Sequence, residues 1–90
     1  MLVDGPKVEI EERKKAYERV FGESADPSVR LVLADLRVFC RADVSTFHPD
    51  ARLHAVAEGR REVILRILDH LNMSVDQLYE RAVSRQRGQN

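Results

Sequence analysis

Cys40, Ser45 and Thr46, with His48 close behind, are the residues of this chain that could pair a nucleophile with a base. Their surroundings do not support that chemistry. Cys40 falls on the apolar side of a helical pattern, where a thiol behaves as a small hydrophobe. No glycine-rich phosphate loop and no strand-turn-helix nucleophile elbow accompanies the hydroxyls. Glu58 and Glu62 are one helical turn apart, as paired carboxylates for acid–base work can be. Here they flank Gly59-Arg60-Arg61 on the polar side of the pattern, where such residues solvate a face or form weak surface pairs.

The candidate metal ligands are Cys40, His48, Asp50, His54 and His70. His48 and His54 are not at the spacing that puts two ligands on one helical face, and a structural zinc site would need more thiolates than one cysteine supplies. The expectation is no metal, no cofactor and no enzymatic activity.

The arginines are the more informative set. Arg60 and Arg61 sit inside the longest helical pattern of the chain, Pro49 to Leu71, directly after Gly59. Stepping by about 100° per residue puts Leu53, Val56, Ala57, Val63, Ile64, Ile67, Leu68 and Leu71 on one face, with Arg60 near its centre. A mid-helix glycine costs roughly 1 kcal/mol relative to alanine, and a closely approaching backbone is one reason to keep it. An arginine on an apolar stripe either snorkels or finds a carboxylate. The preferred expectation is an ion pair within the chain; the alternative is that Arg60 and Arg61 face a partner, either another protomer or a phosphate. Arg66, Arg81, Arg85 and Arg87 extend the basic set toward the C-terminus and are the basis for a weaker alternative, nucleic-acid binding.

Those side chains need elements to hold them, and the chain has room for one small domain. Its 90 residues carry 15 basic and 15 acidic side chains, so no global field gathers nucleic acid or anionic lipid. One cysteine excludes an internal disulfide and is compatible with a reducing compartment. No apolar run reaches a membrane-spanning length, and the N-terminus lacks the pattern of a secretory signal. These features lead to an expectation of a soluble product made inside a cell, or assembled there into a particle.

The periodicity predicts an all-α fold, a small four-helix bundle around a long central helix. Residues 1–7 are expected to form a flexible tail broken by Gly5-Pro6, 8–85 a single helical domain, and 86–90 a second tail. The first helix runs from Val8 to Phe21, with Ile10, Tyr17, Val20 and Phe21 on one face, acidic residues in its opening turn and a left-handed exit at Gly22. Asp26-Pro27 starts a second helix that runs to about Arg41. Its stripe is Val29, Val32, Leu33, Leu36, Phe39 and Cys40, with Phe39 expected to have a structural role. Leu31 and Val38 lie on the opposite side, which marks them as candidates for an oligomer contact. Phe47 is expected to anchor the following loop in the core. The long helix is capped by Asp50, Ser45 or Thr46. Ser74 and Gln77 have the form of a capping box, opening a last helix from Val75 to about Arg85.

The segment from Leu33 to Ser74 resembles a family of short proteins encoded among the virion genes of podovirus-like tailed bacteriophages, with a type member from a Bordetella phage. The shared pattern is Leu33, Asp35-Leu36, Phe39-Cys40 and Phe47, then Glu58-Gly59-Arg60-Arg61 and the aliphatic run Val63 to Leu71. The resemblance covers about half the chain and brings no catalytic residues. It implies a small phage protein located in the virion, at the portal or tail junction or internally, or acting in the host cytoplasm as an assembly accessory. The expected partners are copies of itself or larger phage virion proteins. Leu31 and Val38 would supply apolar contact, Arg60 and Arg61 would fix the geometry, and the runner-up is a small helical regulator of nucleic acid or a host protein.

Overall fold

The computed structural model describes residues 5–23 and 25–88. Four α-helices account for most of them: α1 (Gly5–Phe21), α2 (Ser28–Phe39), α3 (Ala51–Asn72) and α4 (Val75–Gly88), so the chain is all-α as its periodicity predicts. Residues 1–4 and 89–90, the outer parts of the expected tails, lie outside the described residues. Gly5 and Pro6 do not break the chain but open α1. A proline in the first turn loses no intrahelical bond, because its amide would be free there anyway. With the start a turn earlier, Glu11 stands within the helix and pairs with Lys15 at 3.5 Å. At the other end α4 continues past Arg85 to Gly88.

The helix ends are set by local chemistry. The Asp26 carboxylate accepts from the Ser28 amide at 2.8 Å and opens α2. α2 ends short of Arg41 because Arg41 takes a left-handed conformation (φ 56°). The Ala42 amide then donates to the Arg37 carbonyl and the Arg41 amide to that of Val38, a Schellman closure with arginine where glycine is usual. The Arg41 guanidinium holds the turn by donating twice to the Ser45 carbonyl, at 2.9 and 2.7 Å. Asp50, of the three candidates, caps α3: it accepts from Arg52 at 2.8 Å and Leu53 at 3.4 Å. Ser74 and Gln77 make the reciprocal capping box, at 2.9 and 3.1 Å. Among the described glycines none has positive φ, so Gly22 is not a left-handed exit. It is required for another reason: a Cβ there would meet the Glu18 carbonyl oxygen at 2.3 Å.

α1 lies against each of the other three helices. Ile10 from α1 and Leu78 from α4 are buried, with Lys7 over the Tyr79 ring at 5.1 Å and paired with Asp76 at 3.3 Å. A second apolar centre joins Cys40 and Ala42, at the end of α2, to Ile64 of α3, and Leu33, Leu36, Ile67 and Leu68 pack around it. Ile64 retains 1% of its accessible surface.

The molecule is flat, with principal extents of 48 × 41 × 14 Å. The third extent is about a third of either of the others. The radius of gyration is 15.3 Å, against about 12 Å for a compact domain of this length. So flat an arrangement buries apolar surface mainly along the lines where neighbouring helices touch. The consequence is visible in α3. Its inner line (Ala57, Arg61, Ile64, Leu68) is turned toward the core, while Leu53, Val56 and Val63 of the same stripe are exposed. The apolar stripe is wider than the contact that covers it.

Candidate functional site: an open apolar face and an arginine groove

The residues that the sequence marks for function fall into two places. On α2, Leu31 is 76% and Val38 80% exposed, in keeping with the spare apolar side expected there. Val32 and Phe39, from the stripe expected to face inward, are exposed as well, because only the Val29–Leu33–Leu36–Cys40 line of α2 is turned toward its neighbours.

Phe47 does not anchor the loop in the core: it is 74% exposed, beside His54 with ring centroids 6.1 Å apart. The inward anchor of that loop is Thr46. Its hydroxyl donates to the Glu58 carboxylate, and its carbonyl accepts from His54 Nδ1 at 3.1 Å. A hydroxyl displaces the aromatic there because the α3 surface facing the loop presents Glu58 and His54, two polar partners. The sequence signal was available in Thr46 and Glu58, twelve residues apart, but nothing in the pattern of either segment shows that they meet.

Arg60 is not half of a buried ion pair. It is exposed, forms no salt bridge among the described residues, and lies over the Phe39 ring at 5.0 Å. An exposed cation–π contact of this kind contributes about 0.5–1 kcal/mol. Arg60→Ala is therefore expected to lower stability by less than about 1 kcal/mol, checked by urea unfolding in dilute solution; the loss typical of a broken buried pair would contradict this geometry. Arg61 turns inward instead: its Nη2 donates weakly to the Ala42 carbonyl at 3.4 Å, and its buried Nε has no partner. The two adjacent arginines thus have different surroundings.

Gly59 has open space where a Cβ would stand, so no backbone crosses it within this chain. With that reason removed, Gly59→Ala is expected to raise stability by about 0.5–1 kcal/mol through helix propensity alone. A rise of the thermal midpoint would show it; a fall would mean that an unseen neighbour occupies the space.

The second place is a groove of about 490 Å³ between α3 and α4, reached also by Arg13 of α1. Arg66, Arg81 and Arg85 line it with Arg13, on a partly apolar floor that includes Leu65 and Leu78. Asp69 pairs with Arg81, and Glu62 stands at the wall. Beneath it lies a network that the sequence reading missed. His70 is 2% exposed, stacks on Tyr17 with centroids 4.3 Å apart, and accepts at Nε2 from Arg13 Nε at 2.9 Å. Its Nδ1 donates to the Arg66 carbonyl at 2.7 Å, and its own carbonyl accepts from Lys14 Nζ at 2.9 Å. Burial pushes the imidazole below its ordinary range against the opposing bond to the Arg66 carbonyl, and the Arg13 and Arg66 charges add to the lowering while Asp69 offsets part of it.

Cys40 is free and buried. His48 Nδ1 accepts from the Asp50 amide at 3.0 Å in the cap of α3. No group of three or more histidine, cysteine or carboxylate side chains is placed to hold a metal among the described residues, and no described helix is long and apolar enough to cross a membrane. What the arrangement offers chemically is apolar contact on one face and guanidinium groups in one groove.

No curated protein and no solved structure matches the chain. A family model does, over residues 17–84, and its description is Bbp19-like phage protein. That span takes in α2, α3 and most of α4, and with them the open face and the Glu58-Gly59-Arg60-Arg61 segment; of the groove arginines it includes Arg66 and Arg81 but not Arg13 or Arg85. The chain belongs to the Bbp19-like phage protein family.

Proposed function

We propose that this phage protein is non-enzymatic and works by helix-mediated contact with copies of itself or with a larger phage component. It acts in the virion, at the portal or tail junction or internally, or as an accessory of assembly. The observation that carries the reading is the exposed apolar surface of α2 and α3: Leu31, Val38, Phe39, Leu53, Val56 and Val63 are all exposed. Large contiguous apolar surfaces mark interaction sites on folded proteins. Leu31 and Val38 supply apolar contact on the outer side of α2, and Arg60, held over Phe39, supplies a cation at the edge of the same surface.

The test is quantitative mass spectrometry of purified particles, compared with particles that have ejected their genome. A fixed ratio to portal or tail proteins supports a structural place. Retention in full particles and loss from ejected ones supports an internal protein. Absence from both, with copurification on unassembled head or tail components, supports an accessory. Absence from every particle and assembly intermediate overturns the reading.

A second reading has its own observation. The groove gathers Arg13, Arg66, Arg81 and Arg85, the guanidinium chemistry that phosphate oxygens accept in bidentate fashion. In this alternative the protein is a small helical regulator that binds nucleic acid. Salt-dependent retention on DNA, lost when Arg66 and Arg85 are both changed to Ala, would support it; Arg60 and Arg61 lie outside the groove and would not be needed.

A further inference from the structure

The accessible surface of the chain is 7018 Å². A compact folded monomer of this mass exposes about 5,400 Å², so the chain is open for its size. A specific interface of standard size buries about 800 Å² on each partner. The interior tells the same story from the other side: the buried apolar residues among those described are Ile10, Cys40, Ala42, Ile64 and Leu78, a small core for a domain near the lower size limit of independent folding.

The surface that would be covered has a definite place and a definite charge pattern. Leu53, Val56 and Val63 form the outer line of α3, and Arg60, on the same line, reaches over Phe39 of α2. Arg60 thus links the outer line of α3 to Phe39 at the end of α2, while Val63 at the far end of that line also borders the groove. One turn before Phe39, on the same side of α2, stands Asp35, exposed and without a salt bridge among the described residues. Arg60 likewise has no carboxylate partner. A two-fold interface must be complementary to itself. A patch with an apolar centre and one unspent charge of each sign meets that condition, because rotation brings the acid of one copy toward the base of the other. The net charge of zero adds no long-range repulsion between copies.

We propose that the chain forms a two-fold homodimer through the Phe39–Leu53–Val56–Val63 face, with Asp35 of each copy opposite Arg60 of the other. The inference rests on the protein-contact reading above and commits it to one partner, a second copy. The test is light scattering coupled to size exclusion on the purified chain over a wide concentration range, with thermal unfolding of the same samples. The expected result is a dimer mass and an unfolding midpoint that rises with protein concentration.

Val56→Glu should dissociate the dimer, but it can also unfold a chain that depends on its partner. The charge pair avoids that problem, since both residues are exposed. Asp35→Arg alone and Arg60→Asp alone should each weaken dimerisation about ten-fold or more, and the two together in one chain should restore it. A helical monomer at every concentration, with a concentration-independent midpoint, overturns the proposal. A dimer indifferent to both charge reversals, or one that the double change does not rescue, overturns the arrangement. A monomer still found in particles would leave the virion reading standing, and a dimer found in no particle or assembly intermediate would do the reverse.

Discussion

Ile64→Ala is expected to lower stability by about 2–5 kcal/mol, the range for truncating a buried aliphatic side chain. Ile64 keeps 1% of its surface and joins the end of α2 to the middle of α3 through Cys40 and Ala42. The cost belongs at the upper part of that range if the walls cannot close, and two features hold them apart. Cys40 and Ala42 are fixed by the Schellman closure around Arg41, and Arg61 spans from α3 to the Ala42 carbonyl. Small domains have about 5–15 kcal/mol of stability in all. The substitution should lower the thermal midpoint by about 10 °C or more, measured by circular dichroism at 222 nm, a wavelength that reports helix. A shift no larger than a surface substitution gives would mean that the core lies elsewhere.

The contrast with Val63 explains how much of this fold was legible. Val63 and Ile64 are adjacent aliphatic residues in one stripe, and the sequence reading assigned both to the inner face. Ile64 is buried and Val63 is exposed. Periodicity finds the direction of an apolar stripe but not the width of the neighbour that covers it, and here the neighbours leave Leu53, Val56 and Val63 exposed. The same reason explains Phe39 and Phe47, whose aromatic character predicts burial within a core that this chain does not build around them. Helix positions and the Ser74–Gln77 box are readable because they depend on residues a few positions apart, whereas the sequence offers Asp50 only as one of three caps for α3. The left-handed Arg41 is not readable, since nothing local distinguishes it from a helix interior.

At the candidate sites the division is similar. Exposure of Leu31 and Val38 followed from their angular separation from the main stripe. The clustering of Arg13 with Arg66, Arg81 and Arg85 did not, because it requires knowing how α1, α3 and α4 approach one another. Gly59-Arg60-Arg61 was correctly singled out as an anomaly of the helix, while its cause was misassigned. No backbone crosses Gly59, and Arg60 is paired with an aromatic face rather than a carboxylate. Both findings leave Gly59 and Arg60 on the outside of the helix, while Arg61 turns inward to the Ala42 carbonyl.

His70 supplies the second large effect, and it depends on pH. His70→Ala should remove the stack on Tyr17 and the acceptor of Arg13, at a cost of about 2–4 kcal/mol from lost packing and one lost buried hydrogen bond. In the wild-type chain both imidazole nitrogens are committed: Nδ1 gives its proton to the Arg66 carbonyl, and Nε2 receives one from Arg13. A proton on Nε2 would break the Arg13 bond and place a cation beside two guanidinium groups, with Asp69 as the nearby counter-charge. The folded chain therefore holds His70 neutral to a lower pH than the unfolded chain, whose ordinary value is 6.5. The unfolded state takes up the proton first as pH falls, so the contribution is complete above pH 6.5 and is lost as pH drops from there toward the folded-state value. His70→Phe separates the two parts of the prediction, because it can keep a stack on Tyr17 while removing the titration. Urea unfolding across this pH range should show wild-type stability falling toward acid, with a flatter profile in His70→Phe. Parallel profiles would mean that other groups carry the acid sensitivity and that the α1–α3 contact does not depend on the protonation of His70.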